Sequence, residues 1–214
     1  MQKIPYNWGL INNVLPTDVN LKLAASFPHD DFRFSEGSGY GYWWKNMFVS
    51  DEDISLMLKF NDRRWRQRIE EGRFTNNLGS LGLLWRQLIQ ELQTDSYRAA
   101  LSEMSGLDLK DCPMGIGFRR YNHGHTHHPH TDEPNKVLTH LFFLNQQWSA
   151  NWGGCLRILK NSHPESTFQD ILPVSRSSVV IVRSDNSWHM VTPLTSPVSE
   201  IRLILRVAFF RDVA

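Results

Sequence analysis

No stretch of this 214-residue chain reaches the roughly 18 consecutive apolar residues that a membrane-spanning helix needs. The opening Met1-Gln-Lys-Ile-Pro-Tyr-Asn-Trp8 has no apolar run of the signal-peptide kind either. An excess of one charge is also missing. Lys and Arg number 23 against 22 for Asp and Glu, so no broad field draws the chain to nucleic acid or to an anionic membrane. The two cysteines, Cys112 and Cys155, form no Cys-x-x-Cys pair and read as small buried side chains in a reducing compartment. Repeats, low-complexity tracts and interdomain linkers are absent as well. These absences predict a soluble, cytoplasmic, single-domain protein over residues 1–214, with neither nucleic acid nor membrane as a partner.

What is present divides into two halves. Trp8 to Ile11 reads as a short strand, followed by a helix start at Leu15-Pro16-Thr17-Asp18 with Thr17 as the N-cap. Residues 32–48 are dense in glycine and aromatics, which suits irregular strands or a loop over a pocket. Leu81, Leu84, Trp85, Leu88, Ile89 and Leu92 recur at helical spacing, so an amphipathic helix begins near Ser80. A second helical piece, Tyr97 to Met104, stops at Ser105-Gly106. Beyond it come strand-like runs: Gly115 to Tyr121, Val137 to Leu144, Leu156 to Leu159, Ser178 to Val182 and Ile201 to Phe210. The fold class is therefore α+β, mainly β: a double-stranded β-helix, or jelly roll, mainly in residues 111–212, with helical support mainly in 1–110.

His130-Thr131-Asp132 carries the chemistry. On an extended segment, residues two apart point to the same side, so this imidazole and carboxylate can reach one ion. Two histidines and one carboxylate suit Fe(II) and leave three positions open for a chelating co-substrate and dioxygen. A second His-x-Asp, His29-Asp30-Asp31, lies in a turn-like segment and reads as a solvated loop. For the third ligand there are three rivals: His140, His163 and His189. His140 sits on the opposite strand parity from Thr139 and Leu141, and His163 lies in a turn-like sequence. His189 follows an apolar strand and can meet His130 from a neighbouring one, which makes it the best candidate. His123, His125, His127 and His128 read as a polar loop, with one of them available to orient substrate or a ligand.

Tyr121-Asn-His-Gly-His-Thr-His-His-Pro-His130-Thr-Asp132, Leu138 to Asn145, Trp148, Trp152-Gly153-Gly154 with Leu156, Trp188-His189-Met-Val-Thr-Pro193 and Arg202-Leu-Ile-Leu205 together resemble the 2-oxoglutarate/Fe(II)-dependent dioxygenases, in particular their prolyl-4-hydroxylase-like branch. The likeness covers Gly115 to Phe210. It implies that His130, Asp132 and His189 bind Fe(II), that Arg202 pairs with the distal carboxylate of 2-oxoglutarate, and that dioxygen is consumed, with ascorbate as a candidate reductant. A planar guanidinium suits such two-pronged pairing. Tyr121 matches a position that often supplies a hydroxyl near the co-substrate, and Thr139 shares the inward register. Phe143 and Ile204 stand where many relatives carry hydroxyls. Arg206 shares the parity of Arg202 and is a further candidate for contacting 2-oxoglutarate, substrate or both.

The expected activity is hydroxylation of a small molecule such as an amino acid or biosynthetic intermediate, with a peptidyl or protein residue as the alternative substrate. Asp132 occupies the position that halogenating relatives leave small, which favours oxygenation. A divalent-metal hydrolase and a non-catalytic jelly-roll binding module are the competing classes. The Arg63-Arg64-Trp65-Arg66-Gln67-Arg68 cluster reads as a solvated helix face, with a carboxylate- or phosphate-reading lid as the other possibility.

Overall fold

In the computed structural model, which describes residues 1–45 and 47–212, the chain opens with the expected strand, Trp8–Asn12 (β1), and a helix, Thr17–Ala25 (α1). Pro16, rather than Thr17, takes the cap position, and no side chain caps this helix. Proline has no N–H to leave unsatisfied, and its fixed φ suits entry into a first turn. The glycine- and aromatic-rich segment is an antiparallel hairpin, Arg33–Gly37 (β2) and Tyr40–Trp44 (β3), whose turn uses Gly39 at φ +87°. A Cβ on Gly39 would lie only 2.1 Å from His128 Nδ1, so both the turn and the close approach of the His128 segment require glycine.

A two-residue strand, Met47–Phe48 (β4), leads into two short helices, Asp51–Met57 (α2) and Arg63–Glu70 (α3), and then Phe74–Thr75 (β5). Ser50 and Asp53 form a reciprocal capping box on α2, and Asp62 caps α3. The amphipathic helix is Leu83–Leu92 (α4), starting three residues later than its apolar spacing suggests because Gly82 takes the extended cap position. The next, Asp95–Ser105 (α5), is capped by Thr94 and ends on Gly106 at φ +76°, the left-handed stop anticipated there. The first half is thus less purely helical than its sequence suggests: among its described residues five strands lie among five helices, and β1 joins the main sheet.

Eight further strands follow: Met114–Tyr121 (β6), His127–His130 (β7), Lys136–Phe143 (β8), Leu156–Leu159 (β9), Thr167–Ile171 (β10), Ser177–Val182 (β11), His189–Val191 (β12) and Arg202–Phe210 (β13). Hydrogen bonding runs through the order β1-β11-β8-β13-β6-β3-β7-β12-β9-β10, so one mostly antiparallel sheet curls on itself as in a jelly roll. The five expected strands are all present; β7, β10 and β12 are additions.

Alternation along β13 organises the core. Leu205, Val207 and Phe209 point outward to meet Leu23, Phe27, Trp85, Ile89 and Leu101 of the helical layer, all nearly or fully buried. Burying each such side chain stabilises by about 1.5–3 kcal/mol. Ile204, on the other face, packs inside the curl with Phe143, Leu156, Ile158, Val179 and Ile181. That inner face also carries Arg202 and Arg206, so the parity that buries the outer core aims two guanidinium groups inward. Gly153, at φ +62°, closes the far end: a Cβ there would meet the Pro193 carbonyl oxygen at 2.0 Å.

Candidate active site

β7 and β12 are neighbours, and their register places His189 directly opposite His130. The two imidazole centroids are 4.4 Å apart. Asp132 follows two residues beyond β7 and turns back, so that ligand atoms of His130, Asp132 and His189 lie within 4.8 Å of one another. Among the described residues this is the one group of three or more His, Cys, Asp or Glu side chains close enough to share an ion. The other His-x-Asp copy is excluded: His29 is exposed in a loop. His163 is exposed too. His140 faces the helices, held between the Tyr97 hydroxyl and Ser178 Oγ at 2.8 Å each.

Hydrogen bonds set the tautomers of the two histidines. A carbonyl can only accept, so the contacts of His130 Nδ1 with the His128 carbonyl (2.8 Å) and of His189 Nδ1 with the Ser187 carbonyl (2.9 Å) place the ring proton on Nδ1. Each Nε2 is left as a bare lone pair, the form a metal ligand needs. Burial lowers the pKa of both rings, that of His130 well below the ordinary range, with help from His189 and His127. Asp132 is oriented from both sides: Lys136 Nζ donates to Oδ1 at 2.5 Å and Thr139 Oγ1 donates to Oδ2 at 2.7 Å. Burial would raise its pKa, yet Lys136, His189 and His130 together hold it well below the usual carboxylate range. Two neutral imidazoles and one fixed carboxylate fit a divalent ion with open positions.

Behind this group lies a cavity of about 100 Å³ lined by Tyr121, Thr139, His189, Arg202, Ile204 and Arg206, among others. Arg202, 2 % exposed, stacks its guanidinium 5.0 Å from the centroid of Tyr121 and 5.8 Å from that of Phe143. Its Nε and Nη2 are buried with no hydrogen-bond partner. Burial alone pulls its pKa down to about 10. An arginine so placed is costly unless a carboxylate reaches it. Burial also raises Tyr121, to about 12, so it remains a neutral hydroxyl. Thr139 lines the same cavity, but its hydroxyl is spent on Asp132.

A larger cavity of about 300 Å³ opens over the other side of the group, walled by Tyr40, Tyr42, Trp44 and Phe74 and by Arg68 of α3. Of the arginine cluster on α3, Arg63, Arg64 and Arg66 are exposed, as a solvated face predicts, whereas Arg68 lines the cavity beside buried Trp65 and pairs with Glu133. His127 also borders it. A register shift between β7 and β12 puts His127 on the same face as His130, and the rings stack at 3.8 Å. The spacing of three residues concealed this, because a regular strand would send the two rings to opposite faces. Lys136 and Arg119 were not anticipated either; the signals were the four-residue spacing of Lys136 from Asp132 and the shared strand parity of Arg119 with Tyr121.

Comparison with known proteins converges on one family. Residues 116–210, which contain the whole metal group and Arg202, match the model of the 2OG-Fe(II) oxygenase superfamily. The match implies Fe(II), 2-oxoglutarate and dioxygen as cofactor and co-substrates and oxidation as the reaction class, and the His130, Asp132 and His189 group agrees with it. The fold is similar to a Pseudomonas putida prolyl-4-hydroxylase at TM-score 0.66, with 19% identity over 97% of this chain and 94% of that one. It is also similar to a Trichoplax adhaerens prolyl hydroxylase in complex with a hypoxia inducible factor peptide fragment, at TM-score 0.56 and 16% identity over 95% and 83%. A 2OG-Fe(II) oxygenase family protein from Burkholderia pseudomallei matches at TM-score 0.56 and 11% identity over 97% and 87%. No curated protein matches the sequence. No helix among the described residues is long and apolar enough to cross a membrane.

Proposed function

We propose that this oxygenase hydroxylates a C–H bond of a small molecule such as an amino acid or biosynthetic intermediate, with His130, Asp132 and His189 holding Fe(II) and Arg202 anchoring 2-oxoglutarate. The observation that carries the reading is the buried, unsatisfied guanidinium of Arg202 in a cavity shared with His189. When bound, iron and co-substrate supply the oxidation: 2-oxoglutarate goes to succinate and carbon dioxide, and one oxygen atom enters the substrate C–H bond.

The residues of the chain do the rest. The Nδ1 hydrogen bonds and the Thr139 and Lys136 contacts hold the three ligands in orientation. Arg202 fixes the distal carboxylate, with the neutral Tyr121 hydroxyl beside it, while Phe143 and Ile204 exclude water where hydroxyls are lacking. Arg206 lines both cavities and sits where co-substrate and substrate would meet. A hydrolase would leave Arg202 without a purpose, and a purely structural metal would not need the open cavity.

A peptidyl substrate is the second reading, favoured by the likeness to a fold solved with a peptide bound. The bounded outer cavity, walled by the β2–β3 hairpin and α3, favours the small molecule. A succinate-release screen over amino acids, metabolites and prolyl peptides with Fe(II) and ascorbate tests the proposal. Stimulation by a small molecule supports it, and stimulation by peptides alone transfers the activity to the second reading.

A further inference from the structure

The outer cavity carries more positive than negative charge. Arg68, Arg73, Arg119, Lys136 and Arg206 line it, against Asp132 and Glu133. Arg68 makes a two-pronged pair with Glu133, Lys136 holds Asp132, and Arg73 reaches Glu71. Arg119 differs. Its guanidinium donates to the Phe118 carbonyl at 3.0 Å and lies 5.3 Å over the Tyr42 ring, and among the described residues it has no ion pair with a carboxylate.

Strand register brings Arg119 close to Arg206. Arg119 of β6 pairs with Ile204 of β13, and Arg206 is two residues further along β13, on the same inward face. The residue opposite Arg206 on β6 is Gly117, which has no side chain to fill the space between them. Burial first, and then the field of Arg119, pull the Arg206 pKa down to about 9. Filling the metal and co-substrate sites would not cancel this excess, because a divalent cation and a dianion offset one another. Asp132 is already committed to the metal group.

We infer that the substrate is an acidic small molecule whose carboxylate or phosphate is received by Arg119 and Arg206, with its carbon skeleton against Tyr40, Tyr42 and Trp44. This rests on the iron and 2-oxoglutarate reading of the site. Geometry supports the division of labour. Arg202 lines the inner cavity alone, Arg119 and Arg206 line both, and the aromatic wall of Tyr40 and Trp44 lines the outer one. Paired guanidinium groups in a partly dry pocket receive an anion two-pronged, and an amide of the same shape offers them neither the charge nor the second acceptor.

The test is calorimetric binding to protein loaded with Mn(II) and saturating 2-oxoglutarate, which blocks the inner cavity. L-Glutamate is compared with L-glutamine, phospho-L-serine with L-serine, and a neutral prolyl peptide serves as a third arm. Expected is a preference of about tenfold or more for at least one acid over its neutral partner. Glutamate ahead of phosphoserine would assign a carboxylate, and the reverse a phosphate. In Arg119→Gln the preference should fall to near unity, in Arg119→Lys it should be partly kept, and 2-oxoglutarate affinity should change little in either. Arg206→Gln should also lose the preference. Equal affinity for acids and neutral partners, absence of acid binding, or preference for the prolyl peptide would overturn the inference. Weakening of 2-oxoglutarate rather than of the acids in Arg206→Gln would move Arg206 to the co-substrate. Failure of Mn(II)-loaded protein to take up 2-oxoglutarate at all would instead defeat the underlying reading of the site.

Discussion

Arg202→Met should have opposite effects on the empty and the loaded protein. Burial lowers the guanidinium from 12.5 to about 10, a cost of about 3 kcal/mol at 1.36 kcal/mol per unit. Stacking on Tyr121 and Phe143 recovers about 1 kcal/mol of this. Methionine fills similar space without a charge, so the protein free of co-substrate should gain about 1–2 kcal/mol in stability. Co-substrate binding should suffer. Two charge-assisted hydrogen bonds from Nε and Nη2, the atoms now without partners, are worth about 1.5–3 kcal/mol each, so 2-oxoglutarate should bind on the order of a hundredfold to ten-thousandfold more weakly. The assay is urea unfolding with and without 2-oxoglutarate in the presence of Mn(II), since a ligand of the native state raises stability in proportion to its affinity. Wild type should be stabilised by 2-oxoglutarate, and the variant should start higher but not respond. If the variant is less stable when empty and still responds, Arg202 is a structural cation and the anchor lies elsewhere.

Two further outcomes follow from the same geometry. Thr139→Val removes the hydroxyl that orients Asp132 Oδ2, so Mn(II) affinity, read by calorimetry, should drop about tenfold while the fold persists; unchanged affinity would show that Lys136 suffices. His140 is buried and its pKa is lowered from 6.5 to about 3 by burial, so the unfolded chain binds its proton first. Stability from this group is therefore complete above about pH 6.5 and is lost as pH falls toward 3, at about 1.4 kcal/mol per pH unit. Urea unfolding between these limits should show a shallower acid slope for His140→Gln than for wild type, and equal slopes would mean that the imidazole protonates readily in the native state.

The legible parts of this chain are those where one periodicity dominates. The strands β6, β8, β9, β11 and β13 alternate cleanly or are continuously apolar, and they occupy their expected places. The inward parity of Arg202, Arg206 and Thr139 followed from the same rule. Hidden elements have mixed signals. His127-His128-Pro129-His130 is polar, holds a proline and shifts register, so β7 looked like a loop although it carries the first metal-group histidine. The β2–β3 hairpin was obscured by glycines whose purpose is close backbone approach to His128, a contact that lies 89 residues away in sequence from Gly39. Thr139 was expected near the co-substrate; it lines the same cavity as Arg202, and only tertiary structure shows its hydroxyl turned to Asp132. Arg68 divides its helix: one residue of a seemingly uniform basic run turns inward because Trp65, one turn earlier, is buried.

The most direct measurement is an anaerobic titration of purified protein with Fe(II) and 2-oxoglutarate, followed by visible absorption. Chelation of an iron held by His130, Asp132 and His189 should produce a charge-transfer band that saturates at one iron per chain, vanishes without 2-oxoglutarate and is lost in His189→Ala. A band that survives in His189→Ala, or its absence from protein that binds both components, would contradict the account.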